Sequence, residues 1–281
     1  MSVYLSAKRT GKRKTVTSIK ARKGGEPIVC LTAYTGSFAR ILDAHADLLL
    51  VGDSVAMVHH GHETTIPLSL DAAILHTETV VRTTTDALVV IDMPFGSYEE
   101  SPEVAFRNAA RAMKESGAQA VKLEGGASMA DTIAFLTQRG VPVMAHIGLL
   151  PQSVHVKGGY KTTGKSLDEW PALEADGLAV AEAGAFAVVI EGMAAELAGK
   201  ITQRLAIPTI GIGASPDCDG QILVTEDLLG LTPRQPKFVR VYAEVGLAIE
   251  QAVMAYAEDV KARRFPGPDE VYAGPSKKPS A

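Results

Sequence analysis

Acids close a series of oily runs in this chain. Asp53 ends "DLLLVGD", Asp92 ends "ALVVID", Glu124 ends "AQAVKLE" and Glu191 ends "AFAVVIE". His146 follows "VPVMA", Lys122 precedes Glu124 by two residues, and Ser54 follows Asp53. Carboxylates brought together in one mouth repel one another and resist losing their water. A hard divalent cation removes that conflict. Mg2+ takes oxygen ligands, keeps several waters and shares its shell with an anionic substrate. The plainer alternative is that Asp and Ser after a strand cap the next helix. Caps need not recur at the same strand position, so the repetition favours metal chemistry. Strand alternation puts Lys122 and Glu124 on one face. A buried Lys needs anions, so Lys122 either binds a substrate carboxylate or makes a structural salt bridge. His146 has three readings: metal ligand, acid/base group, or hydrogen-bonded wall beside the ligands. The oxygen preference of Mg2+ counts against the first. His59, His60 and His62 in "VHHGHETT" lack thiolates and ligand spacing, a weak case for zinc.

The acids need a scaffold that brings strand ends together. Eight apolar runs recur, at 27–34, 47–53, 87–98, 118–126, 141–149, 185–193, 207–215 and 220–228. Continuous apolar runs of this length suit strands buried on both faces, hence a parallel sheet. Helical patterns lie between them. "SPEVAFRNAARAMKESG" has Ser101 as N-cap, Pro102 at the first helical position and Gly117 as stop. "SMADTIAFLTQRG" is predicted to start at Ser128, with Asp131 in a capping-box position. Strand alternating with helix about eight times predicts an α/β fold, a (β/α)8 barrel, whose active site lies at the C-terminal strand ends. The rival, a doubly wound open sheet, lacks its GxGxxG turn here. Gly211 and Gly213 in "IGIGAS" fit either a barrel phosphate site or close backbone packing. The stretch 147–166 is long for a βα connection and is a candidate lid.

The predicted domain is a single barrel over 1–266, with a basic N-terminal arm (1–25), a long C-terminal helix at about 237–263, and a Pro-rich tail (267–281). The 281 residues are 46% hydrophobic and 21% charged, enough for a sizeable core. Net charge is −4; residues 1–25 hold eight Lys/Arg and no acid, leaving −12 for the remainder. That acidic body argues against nucleic acid. The basic start reads as a solvated arm, an organelle transit peptide or an anion-binding arm. Cys30 and Cys218 form no disulfide framework or CxxC pair. With no membrane span or secretory signal in view, the expectation is a cytoplasmic protein.

The ordered set "LLVGDS", "GHETTIPL", "DMPFGSY", "VKLEGG", "PVMAHIGLLPQSV", "GGYKTTGK", "IPTIGIGA", "CDGQILV" and "RFP" resembles the ketopantoate hydroxymethyltransferase family, from about residue 28 to 266. The resemblance implies a barrel of the phosphoenolpyruvate/pyruvate superfamily type. It implies transfer of a hydroxymethyl group from 5,10-methylenetetrahydrofolate to 3-methyl-2-oxobutanoate, giving 2-dehydropantoate for pantothenate and coenzyme A. It further implies Mg2+ and a homo-oligomer, commonly a decamer. By motif, Asp53, Asp92 and Glu124 match the metal-binding acids. Asp53, Ser54, Asp92 and Lys122 match the keto-acid contacts, and Glu191 matches the proton acceptor. That role requires a pKa raised by burial and neighbouring acids. The departures, as in "AYTGSFA", "SVHVKGGYKTTGK" and Ser215, lie outside this set. Two rival functions stand beside this reading: a folate-independent 2-keto-acid aldolase or lyase on the same barrel, and a non-catalytic metabolite-binding barrel.

Overall fold

The computed structural model describes residues 12–272 and Gly274. They gather into two compact units, one of residues up to Thr225 with Pro236–Val239, the other of Glu226–Gln235 with the residues from Arg240 onward.

The first unit opens with helix α1 (Val16–Lys20), then β1 (Ile28–Thr32), α2 (Gly36–Leu42), β2 (Leu48–Val51), α3 (Val55–Val58) and α4 (Leu70–Thr83). There follow β3 (Leu88–Asp92), α5 (Pro102–Ser116), β4 (Ala120–Glu124), α6 (Ala130–Thr137), β5 (Val143–Gly148), α7 (Val154–Lys157) and α8 (Trp170–Glu182). It ends with β6 (Ala187–Glu191), α9 (Ala195–Arg204), β7 (Thr209–Ile212) and β8 (Gly220–Leu223). The eight strands close into a barrel in sequence order, with β8 pairing β1, and every pairing is parallel.

From β2 to β7 both faces of the strands are buried or nearly so, for different reasons, whereas β1 and β8 expose Val29 and Gln221 on their outer face. Cys30, Leu48, Leu50, Leu88, Val90, Ala120, Met144, Ala187, Val189 and Ile210 point inward and fill the barrel. Their alternate neighbours, such as Leu49, Val89, Val121 and Val188, point outward beneath the helices. Each large apolar side chain so buried contributes about 1.5–3 kcal/mol. Polar residues enter the inward set only at its C-terminal end, as Asp92, Lys122, Glu124 and His146.

Local signals set most helix ends. Ser101 caps α5 through Val104 N–H at 3.2 Å, and Gly117 ends it at φ 79°. α6 departs from expectation. A 3-10 turn, Ala127–Met129, precedes it, and Ser128 makes no cap. Asp176 of α8 accepts the Ala127 N–H at 2.8 Å instead. The expected solvated arm is also corrected over its described part. Ile19 is buried, Arg13 donates to the Ala87 carbonyl at 2.8 Å, and Lys23 pairs with Asp219 at 2.8 Å. Residues 1–11 lie outside the described residues, as do Ala273 and 275–281 of the expected tail.

The second unit carries most of α10 (Thr225–Leu228) and all of α11 (Val245–Lys261). The expected helix at 237–263 therefore starts eight residues late. Tyr242 and Val245 donate their N–H groups to Leu228 and Leu229 carbonyls, which holds the approach to α11 out of helical geometry. Leu247, Ile249, Val253, Met254 and Tyr256 of α11 are exposed.

Candidate active site at the barrel mouth

Strand register brings the chemical side chains into one layer. Asp92 of β3 lies opposite Lys122 of β4, Glu124 opposite His146 of β5, and Gly148 opposite Glu191 of β6. Gly148 is needed there. Its φ is 94°, and a Cβ would fall 2.4 Å from the Glu191 carbonyl. Asp53 and Ser54 join from the turn after β2.

Asp53, Asp92, Lys122, Glu124 and His146 are buried, none more than 5% exposed. The Glu191 side chain is 17% exposed. Lys122 Nζ donates to both Asp92 oxygens, at 2.8 and 3.0 Å. Asp92 Oδ2 also accepts the Asp53 N–H at 3.1 Å. Burial pushes the Asp92 carboxyl up, to about 7; Lys122 pulls it down and Asp53 pushes it further up. Burial works against the Lys122 charge, but Asp92, Glu124 and Asp53 outweigh it and hold Lys122 as a cation.

His146 bridges two acids. Its Nδ1 lies 3.6 Å from Glu124 Oε1 and its Nε2 3.3 Å from Glu191 Oε2. Neither contact is aligned as a hydrogen bond, so the attraction is ionic. Burial and Lys122 depress the imidazole pKa, yet Glu124 and Glu191 together raise it to about 9.

The helix-cap reading of the acids fails in this geometry. The N-caps of α3, α5, α6 and α9 are Ser54, Ser101, Met129 and Ala194. Ser54 makes no capping bond; its hydroxyl is 2.7 Å from the Tyr34 hydroxyl. What remains is a buried excess of negative charge. Glu124 Oε1 is buried without a hydrogen-bond partner. Among the described residues no three of His, Cys, Asp or Glu form a ready-made metal cage. A buried set of hard oxygen donors with an orphaned Glu124 oxygen nevertheless fits Mg2+, which uses few protein ligands and completes its shell with water and substrate.

Three contributors lie within the quoted motifs but were given no role there. Gln152, in the 3-10 turn Pro151–Ser153 after β5, donates to Asp53 Oδ2 at 2.9 Å. Tyr98 donates to Gln152 Oε1 at 2.6 Å. Tyr160, half-buried in the candidate lid, reaches Met57 Sδ at 3.7 Å; burial, then Asp53, Glu191 and Glu124, raise its phenol pKa. All three are neutral, and their roles arise from contacts across the barrel. The candidate lid is tied down beyond Tyr160, where Thr163 N–H donates to the Gly192 carbonyl at 2.8 Å. A cavity of about 190 Å3 lies beside the acids, lined by Phe95, Tyr98, Glu124, Met129, Leu150 and Gln152.

Other candidates fall away from this mouth. His60 Nε2 faces His76 Nε2 at 3.0 Å, and His62 stacks edge-on to His60, with no three-ligand set. Gly211 and Gly213 serve close packing. A Cβ at Gly211 would lie 2.9 Å from Gln221 Oε1, and one at Gly213 2.6 Å from the Phe238 ring.

The barrel fold is shared with solved structures, among them a member of the phosphoenolpyruvate mutase/isocitrate lyase superfamily. The chain superposes on a phosphoenolpyruvate phosphomutase from Streptomyces platensis subsp. rosaceus with a TM-score of 0.59 at 14% identity, covering 92% of each chain. It superposes on 2,3-dimethylmalate lyase with a TM-score of 0.55 at 18% identity, covering 92% of this chain and 89% of that one. At this identity the likeness concerns the fold. Residues 13–268 match the family model for ketopantoate hydroxymethyltransferase, and the chain belongs to that family. It is 62% identical to the 3-methyl-2-oxobutanoate hydroxymethyltransferase of Parvibaculum lavamentivorans, over 93% of this chain and 96% of the relative. The enzyme of the same name from Bartonella henselae is 59% identical over 93% and 95%.

Proposed function

We propose that this chain transfers a hydroxymethyl group from 5,10-methylenetetrahydrofolate to 3-methyl-2-oxobutanoate, giving 2-dehydropantoate for pantothenate biosynthesis. The carrying observation is the set Asp53, Asp92, Lys122, Glu124 and His146, all buried, with the partly exposed Glu191 beside them at the barrel mouth, in a chain of this family. Asp53, Asp92 and Glu124 would hold Mg2+, which supplies Lewis-acid polarisation of the keto acid's carboxylate and keto oxygens.

Lys122, kept cationic by three acids, draws the substrate's negative charge into the mouth. Ser54, beside Asp53, offers its hydroxyl to the keto acid. Glu191 takes the proton from C3. The C3–H electron pair moves into the C2–C3 bond and the keto oxygen takes up the charge. His146 lies between Glu124 and Glu191, 3.3 Å from the Glu191 carboxylate, and orients the base. The nucleophilic C3 then bonds to the folate's methylene carbon. Water supplies the hydroxyl as the two carbon–nitrogen bonds break; the freed nitrogens take one proton from that water and the C3 proton from Glu191, and tetrahydrofolate leaves.

No helix among the described residues is long and apolar enough to cross a membrane. The exposed apolar side chains of α11 support a homo-oligomer, a decamer as in the family. The deciding assay follows product from 3-methyl-2-oxobutanoate and Mg2+ with and without 5,10-methylenetetrahydrofolate. The expected result is 2-dehydropantoate with the folate alone. Carbon–carbon bond formation or cleavage without folate favours the lyase rival. Mg2+ binding unchanged by Asp53→Ala/Asp92→Ala favours the non-catalytic barrel.

A further inference from the structure

We propose that Gln152 is a positioning residue of this site: its side-chain amide, locked by Tyr98, sets the Asp53 carboxylate, while its backbone N–H sets that of Glu124. The proposal rests on the reading of Asp53 and Glu124 as acids that hold a divalent cation.

Gln152 is 5% exposed, and its amide is fully used. An amide offers one oxygen acceptor and two N–H donors. The Tyr98 hydroxyl accepts the Glu124 N–H at 3.2 Å, which leaves its own proton for Gln152 Oε1 at 2.6 Å. That bond fixes which end of the amide carries oxygen. Gln152 Nε2 then faces two groups that only accept, Asp53 Oδ2 at 2.9 Å and the Met93 carbonyl at 3.0 Å. A flipped amide would set oxygen against oxygen at both places. The Gln152 backbone N–H donates to Glu124 Oε2 at 3.0 Å. One oxygen of each acid is thereby held by the protein, and Glu124 Oε1 is left without a hydrogen-bond partner.

The neutrality of the amide is what suits it to the task. Lys122 holds Asp92 with a positive charge. A second cation at 152 would cancel the negative charge that attracts a divalent ion, whereas an amide orients Asp53 and leaves its charge intact. Partners that orient metal ligands in this way typically carry about 10–100-fold of metal affinity.

Mn2+ titration of the full chain, followed by electron paramagnetic resonance without substrate, tests this. Gln152→Met keeps length and burial while removing the amide. It is expected to bind Mn2+ about 10–100-fold more weakly, with a lowered melting temperature because the Tyr98 hydroxyl, Asp53 Oδ2 and the Met93 carbonyl lose a partner. Tyr98→Phe should weaken binding less, and adding it to Gln152→Met should cost less than the product of the two losses, since both act through one amide. Wild-type Mn2+ affinity in Gln152→Met overturns the proposal. If that variant does not fold, Tyr98→Phe decides alone, and unchanged affinity there overturns it. Asp53→Asn tests the foundation separately: wild-type Mn2+ binding in that variant removes the metal reading itself.

Discussion

The two ends of the barrel treat their acids in opposite ways. At the N-terminal end Asp43, Asp47 and Asp219 are each matched, and Asp86 Oδ1 alone of the described acids there is buried without a hydrogen bond. Asp43 accepts N–H groups from Thr85, Asp86 and Ala87 at 2.6–3.0 Å. Asp47 faces Arg22 and Lys14. Asp219 takes Lys23 Nζ and the Gly24 and Thr209 N–H groups, all at 2.8 Å. At the C-terminal end four carboxylates share Lys122 and His146, and a buried Glu124 oxygen has no hydrogen bond. Matched charge is how a barrel closes its stable end; unmatched charge is retained where something else must bind.

Substitutions at the two ends should therefore move different observables. Glu191→Gln should lower turnover most, by about 10²–10⁴-fold, as loss of a proton-transfer group does, with keto-acid and Mg2+ affinity retained. Turnover near wild type would remove Glu191 from the chemistry. Asp92→Asn should weaken Mg2+ and keto acid together, by about 10–100-fold. An unaltered Mg2+ dependence of rate would show that Asp92 serves Lys122 alone.

The other end should respond in stability. Asp43→Ala strands three backbone N–H groups and should cost about 1–3 kcal/mol, read by denaturant melts, with kcat/KM of the folded fraction unchanged. A loss of kcat/KM would mean that the two ends are not independent.

The smallest effect expected is from Lys23→Met. Burial raises the Asp219 pKa, but Lys23 and the Thr209 and Gly24 N–H groups outweigh it and hold it below the usual carboxylate value. A carboxyl depressed on folding stabilises fully above its unfolded pKa and loses that contribution as pH falls through the folded value. Wild type should therefore exceed Lys23→Met in stability at neutral pH, with the gap closing below 3.8. A gap that stays constant across acid melts would show that the pair acts through packing.

Much of this was legible in the amino-acid sequence. Strands buried on both faces carry unbroken apolar runs, so β2 to β7 were plain, β1 and β8 with their exposed outer faces less so, and the barrel rule sent Asp53, Asp92, Glu124 and Glu191 to one mouth. What stayed hidden depends on distant partners. Gln152 and Tyr98 are neutral and acquire their roles only when β2, β3, β4 and the turn after β5 meet. The start of α6 is closed by Asp176, remote in sequence, so Ser128 misled. Phe238 matched the spacing of α11 but packs against Gly213 instead. The basic start read as solvated because its acceptors, Asp219 and the Ala87 carbonyl, lie far along the chain.

The most direct test of the account is hydrogen–deuterium exchange at C3 of 3-methyl-2-oxobutanoate in D2O, with Mg2+ and with or without 5,10-methylenetetrahydrofolate. The account predicts Mg2+-dependent exchange that disappears in Glu191→Gln. Absence of exchange in the wild-type protein even with folate present, or undiminished exchange in Glu191→Gln, would contradict it.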